Sequence, residues 1–245
     1  VFVQTSPGAG KHRAMEYDAE TALMRLTRHR GEGSYVIGQL GQSLDGRIAT
    51  PTGASKYING EEALRHLHRI RAGVDAVIVG VGTAIADDPQ LTTRHVPGPN
   101  PVRVVIDPNG RLPGSVAMLH DAAAPVLVVT CQGQAVPPGS RPVELPCDGA
   151  GNIDPGAIVQ ALAARGLRRL LIEGGAETLA RFLNASAVDE LHLMVAPIVL
   201  GSGKTGLNLA PISELDEAMR PRVRTMRFRD GDMLCMCDIQ LPDAA

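Results

Sequence analysis

Tryptophan is absent from the 245 residues, and only three phenylalanines and three tyrosines are present. A chain so poor in aromatic rings has no stacking platform for single-stranded nucleic acid. Charge of one sign is lacking too: 24 Lys and Arg face 26 Asp and Glu, interspersed, for a net −2. The basic footprint of a DNA- or RNA-binding protein is therefore missing. No apolar run approaches the roughly eighteen residues that would suggest a membrane-spanning helix. Val1 to Gly10 lacks the charged-then-apolar order of a signal peptide. These absences point to a cytoplasmic protein with no membrane or nucleic-acid partner.

Cysteine is scarce as well. Cys131, Cys147, Cys235 and Cys237 form no C-x-x-C, and no histidine lies at zinc-finger spacing from them. They read as buried, reduced thiols, with Cys235 and Cys237 on one face of a strand. No G-x-S-x-G elbow, H-E-x-x-H or Cys/His pair supplies a nucleophile or a metal site. His66 and His68 fall on a polar helical stretch and read as solvated. With neither metal nor nucleophile, the chemistry falls to a cofactor that the protein orients.

What is present is enough apolar sequence, 44%, to bury an aliphatic core. Residues 1–33 are polar and read as an N-terminal extension with one helix, capped by Asp18 and closed near Gly31, with Leu23 and Leu26 as its apolar stripe. Residues 34–245 alternate apolar runs with helical patterns. Strands are expected over 35–40, 75–79, 102–106, 126–130, 170–172 and 190–195, and helices over 61–71, 155–165 and 176–184. Two further strands, 223–228 and 233–241, meet through Asp230-Gly231 as a hairpin. The expected fold is α/β: a mainly parallel central sheet with helices on both faces and an antiparallel C-terminal edge.

Ligands of open α/β sheets bind beyond the carboxyl ends of the strands. Two such ends carry glycines: Gly80-Val81-Gly82-Thr83, and Glu173-Gly174-Gly175 before the helix at Ala176. Glycines there let backbone N–H groups approach a phosphate, and a helix start adds its dipole. The same Gly-Gly would also serve as a plain tight turn, and neither segment is a G-x-G-x-x-G or Walker sequence. Acidic residues gather at these ends: Asp45, Asp87, Asp88 and Glu173. Glu173 is placed to face the crevice. Asp45, within Ser43-Leu44-Asp45-Gly46-Arg47, serves equally well as a turn residue bonding nearby backbone.

Several strings then occur in order: Ser43-Leu-Asp-Gly-Arg-Ile-Ala49, Thr52-Gly-Ala-Ser-Lys-Tyr-Ile58, Ile70-Arg-Ala-Gly-Val-Asp-Ala76, Gly80 through Arg94, Val105-Ile-Asp107, Ile172-Glu-Gly-Gly-Ala176, Val188-Asp-Glu-Leu191 and Ala196-Pro-Ile-Val-Leu-Gly201. Together they resemble the C-terminal reductase domain of the bacterial riboflavin deaminase–reductase and its stand-alone relatives, from about Tyr35 onward. The resemblance implies a dihydrofolate reductase-like fold, NADPH as hydride donor, a phosphoribosylaminopyrimidine as substrate and a homodimer. The zinc deaminase of that family needs H-x-E and P-C-x-x-C, and neither occurs here, so the chain resembles the reductase alone.

Cofactor contacts are implied at Gly41, Tyr57, Thr83, Asp87 and the run Gly175 to Arg181, taking in Ala176, Glu177, Thr178 and Leu179; Gly174 joins them from the strand-end reading. Substrate contacts are implied at Ser55, Arg71, Leu91, Arg94 and Glu173. Arg71 and Arg94 suit a phosphate clamp, since guanidinium presents paired donors; the lesser alternative for Arg71 is a helix C-terminal residue complementing the dipole. Glu173 or Asp45 would orient the sugar hydroxyls or manage a proton. Gln39 stands where many family members have lysine, and Tyr57 where tryptophan is common. A dihydrofolate or pteridine reductase on the same scaffold, and a non-catalytic nucleotide-binding paralogue, are the competing readings.

Overall fold

Capping side chains and alternating apolar residues convert the sequence pattern into elements. The computed structural model describes residues 15–55 and 58–239; Tyr57, the first ten residues and the end of the 233–241 strand lie outside the described residues. In chain order the elements are β1 (Met15–Glu16), α1 (Ala19–Arg28), β2 (Tyr35–Ser43), β3 (Arg47–Ala49), α2 (Glu61–Gly73), β4 (Ala76–Gly80), α3 (Val81–Asp87), β5 (Val102–Ile106), β6 (Val126–Cys131), β7 (Arg141–Leu145), α4 (Pro155–Ala163), β8 (Arg169–Glu173), α5 (Ala176–Asn184), β9 (Glu190–Ala196), β10 (Lys204–Thr205), β11 (Arg222–Arg227) and β12 (Met233–Asp238).

The main sheet runs β1-β11-β12-β9-β2-β8-β4-β5-β6-β7. From β9 to β7 every pairing is parallel, whereas β12 runs antiparallel to both β9 and β11. This is the expected α/β sheet with an antiparallel C-terminal edge. Both faces of its centre are buried, and side chains alternate between them. Ile37, Val77, Val79, Val105 and Leu171 pack with Leu26, Ile70 and Ala84, on the side of α1, α2 and α3. Val36, Ala76, Ile78, Val104, Leu170 and Ile172 pack with Ile158, Leu162, Leu179 and Phe182, on the side of α4 and α5. Burying each such large aliphatic side chain contributes about 1.5–3 kcal/mol relative to exposure, which is how a nearly ring-free core holds.

Local chemistry sets the helix starts. The Asp18 carboxylate accepts from Thr21 N at 2.8 Å, and that of Asp154 from Ala157 N at 2.7 Å, with Pro155 in the first turn of α4. The expected closure of α1 at Gly31 is not found: the helix ends at Arg28 with His29 as its cap. Residues 15–28 pack on the rest of the chain, because β1 pairs with β11, Leu23 and Leu26 enter the core, and Arg25 ion-pairs with Asp238.

Two further expectations are corrected. His66 and His68 are fully buried rather than solvated, because α2 turns them inward onto polar partners. His66 Nε2 meets His192 Nδ1 at 2.9 Å, and His68 Nδ1 accepts from Arg94 N at 3.0 Å. Cys131 and Cys147 form a disulfide, leaving Cys235 and Cys237 as the free thiols. The unforeseen edge strand β7 lies parallel to β6, with Leu145 opposite Cys131, and so carries Cys147 to the same end. No helix among the described residues is long and apolar enough to cross a membrane, and no cluster of three or more His, Cys, Asp or Glu there could hold a metal ion.

Candidate active site

The carboxyl ends of β4 and β8, neighbours in the sheet, open into a cavity of about 800 Å³, the largest described among these residues. One wall is α3, from Gly82 and Thr83 near its start to Asp87 at its end, and the other the start of α5 (Gly175, Ala176, Glu177, Thr178). Opposite them stand Ser55 and the β3–β10 ladder, with Ala49, Lys204 and Thr205. A second cavity of about 310 Å³ continues from it past Gly80, Gly82 and Thr178, between Ile106, Asn109, Arg111, Asn152 and Arg181. A third, of about 270 Å³, lies away from the strand ends among charged residues such as Glu16, Arg69 and Arg227.

Backbone donors face the large cavity. Gly175 caps α5 without any side-chain hydrogen bond, so the first-turn N–H groups stay available to an anion. Gly175 has φ +67, and a Cβ there would stand 2.9 Å from Thr83 Oγ1; a Cβ on Gly80 would collide with Thr178 Oγ1. At each strand end a threonine from the other end's helix thus approaches the glycine too closely for a side chain there. A cleft of this size, with uncapped helix N–H groups and Arg181 and Lys204 on its rim, fits a dinucleotide phosphate group.

Beside it, Glu173 ends β8 and ion-pairs with Arg71 through both oxygens, Nε donating to Oε2 at 2.7 Å and Nη2 to Oε1. Arg71 Nη1 donates to Thr92 O at 2.9 Å. Arg71 is therefore committed to Glu173 and the 90–95 loop. Arg94 is exposed, its Nη1 donating to Gln90 Oε1 and Thr92 Oγ1 at 2.8 and 2.9 Å. Partial burial and the neighbouring Arg71 lower the Arg94 pKa, opposed by Glu173. Gln39, buried, is paired in register with Glu173 across β2 and β8.

Asp45 has the geometry of the turn. Its carboxylate accepts from Ser43 Oγ at 2.6 Å, Leu200 N at 3.1 Å and Gly201 N at 2.7 Å. The Ser43 bond, and then those of the backbone, hold its pKa down to about 2. Of the other candidates, Ser55, Thr83, Asp87, Gly175, Ala176, Glu177 and Thr178 line the large cavity. Gly174 precedes it in the β8–α5 turn with φ +61, and Gly41 sits within β2 beside Asn59. Leu179 and Leu91 are core residues: the apolar stripe of α5 faces the sheet, and Leu91, at φ +54, turns into the cluster on the opposite side. The structure adds Lys204, Thr205, Asn208 and the second cavity's Arg111.

Residues 34–231 match the model of the RibD C-terminal domain. The chain belongs to that family. A 2,5-diamino-6-ribosylamino-4(3H)-pyrimidinone 5′-phosphate reductase of Methanothermobacter thermautotrophicus is 37% identical over 210 residues, covering 82% of this chain and 95% of that protein. The riboflavin biosynthesis protein RibD of Aquifex aeolicus is 32% identical over 235 residues, 95% of this chain but 64% of its own length. A Thermotoga maritima deaminase/5-amino-6-(5-phosphoribosylamino)uracil reductase superposes with a TM-score of 0.73 at 28% identity, over 85% of this chain and 57% of that one. The Saccharomyces riboflavin reductase Rib7 shares the fold at a TM-score of 0.74 and 19% identity, over 91% and 100% of the two chains. This RibD C-terminal domain thus spans somewhat under two thirds of the Aquifex and Thermotoga proteins and nearly all of the Methanothermobacter reductase.

Proposed function

We propose that this RibD-type domain is an NADPH-dependent reductase of riboflavin biosynthesis, acting as a cytoplasmic homodimer. Its substrate is 5-amino-6-(5-phosphoribosylamino)uracil or the 2,5-diamino pyrimidinone counterpart, and its product the ribitylamino compound. One observation carries the reading: an 800 Å³ cleft at the strand ends is walled by α3 and the start of α5, and the carboxylate of a carboxylate–arginine pair, Glu173, lies two residues before Gly175 of its lining. The identity to the Methanothermobacter reductase supports the substrate class.

The nicotinamide, when bound, supplies the hydride. The chain supplies place and charge. Thr83, Gly175 and the first-turn N–H groups of α5 would hold the cofactor's pyrophosphate, while Lys204, Arg111 and Arg181 would offer cations to its remaining phosphate. Arg94 takes the substrate phosphate. Opening of the ribosylamine breaks C1′–O4′, moves the nitrogen's proton to O4′ and leaves a C1′=N imine. Hydride addition at C1′ and return of one proton to nitrogen complete the ribityl chain. Glu173, fixed by Arg71, would accept from the sugar hydroxyls and so orient C1′ for the transfer. Asp45, already saturated with donors, holds the 198–201 loop in place.

Steady-state NADPH oxidation with either pyrimidine phosphate, and separately with dihydrofolate, tests the proposal. Turnover is expected with a pyrimidine phosphate and not with dihydrofolate. Turnover of dihydrofolate alone would move the domain to the pteridine reading.

A further inference from the structure

The arginine that the proposed function gives to the substrate phosphate stands at an exposed position of the 90–95 loop, and buried His68 joins Arg71 in fixing the backbone of that loop. His68, fully buried on α2, accepts from Arg94 N at its Nδ1, 3.0 Å away. On its other side Nε2 lies 3.5 Å from Arg71 Nη1, and the His95 ring packs edge-on against it, centroids 4.5 Å apart. We propose that His68 is a positioning residue for phosphate recognition, holding Arg94 and Arg71 at a fixed separation through its neutral imidazole; this rests on the proposed role of Arg94.

Hydrogen-bond chemistry dictates the state of the ring. An Nδ1 that accepts the Arg94 N–H bears no proton, so the neutral ring carries its proton on Nε2. That proton faces another donor, Arg71 Nη1, and the 3.5 Å approach is packing rather than a hydrogen bond. A protonated ring would lose the acceptor for Arg94 N and set a third cation between two guanidinium groups. Burial, then Arg71, His95 and Arg94, accordingly draw the His68 pKa down to about 3. The imidazole is thus an uncharged spacer: one edge anchors the loop that carries Arg94, and the other abuts the arginine that holds Glu173. It touches neither reacting atoms nor the cavities.

Isosteric replacement separates this role from plain packing. Asparagine places its carbonyl near the position of Nδ1, whereas glutamine places it near Nε2, where Arg71 rather than Arg94 would meet it. His68→Asn, His68→Gln, His68→Leu and Arg94→Ala are compared on the phosphorylated pyrimidine and on its dephosphorylated analogue. His68→Gln and His68→Leu are expected to raise KM for the phosphorylated substrate about five- to tenfold, the worth of one hydrogen bond, with kcat within about twofold. The shift on the dephosphorylated analogue should be smaller, and His68→Asn should return KM to within about threefold of the parent. If His68→Leu does not fold, the order of the asparagine and glutamine variants decides. Equal KM values for those two, or glutamine the better, would overturn the role of His68 even where Arg94→Ala discriminates between the substrates. Arg94→Ala losing equally on both substrates would instead overturn the phosphate reading itself.

Discussion

Arg71 and Glu173 form a two-pronged ion pair between the last turn of α2 and the end of β8, with both side chains largely buried. Neither residue is free to act alone, so a change at either is felt by its partner. Glu173→Gln would leave the guanidinium with one weaker acceptor in a desolvated place. Breaking such a buried pair costs about 3–5 kcal/mol, and a retained amide oxygen should hold the loss near the lower end. A thermal melt is expected to fall by roughly 6–12 °C, with turnover falling as well. An unchanged melting temperature would mean that the pair is solvated and Glu173 independent.

Gly175 combines a left-handed backbone with a close approach to Thr83. Gly175→Asp adds strain of about 1–3 kcal/mol and puts negative charge beside the uncapped start of α5. NADPH affinity, read by fluorescence titration, should fall at least tenfold. Parent-like binding would remove the α5 start from the cofactor site.

The Cys131–Cys147 bridge closes a loop of sequence separation 16, which corresponds to about 3 kcal/mol in the chain-entropy picture. Unfolded protein kept from reductant should titrate two thiols, Cys235 and Cys237, and four after reduction. Reduction should lower the melting temperature. Four thiols without reductant would show that these cysteines remain apart in solution.

The Asp45 pKa is depressed by bonds made only in the folded chain. A depressed carboxylate adds stability above its unfolded pKa, near 3.9, and that contribution disappears as pH falls through the folded value of about 2. Amide exchange at Leu200 and Gly201 should therefore accelerate between about pH 4 and pH 2, relative to the other loops. Asp45→Asn should show the fast exchange already at neutral pH. Protection that does not depend on pH in that window would point to another anchor for this loop.

Much of this fold was legible because its strands announce themselves. The strand over 102–106 and the helix over 176–184 are found at their expected limits, since a continuous aliphatic run and an amphipathic stripe leave few alternatives. The sequence hid β7, whose Pro142 suits only an edge strand, and with it the geometry that joins Cys131 to Cys147. It hid α3, too short and glycine-rich to show a period. Around the cleft, glycines at strand ends pointed to Gly175 and Thr83, but Lys204, in the two-residue strand β10, and Arg111, in a loop, lie far from them in sequence and carry no local signal. The inward turn of His68 was equally invisible, because a polar helix face gives no sign that its polar groups are paired inside.

Hydride delivery to the sugar carbon is the centre of the proposed function, and isotope transfer reads it directly. NADPH deuterated at the transferred position is incubated with the pyrimidine phosphate, and the product is located by mass spectrometry and NMR. One deuterium on C1′ of a ribityl chain is the predicted result. Deuterium on the pyrimidine ring, or cofactor oxidation without label in the product, would contradict it.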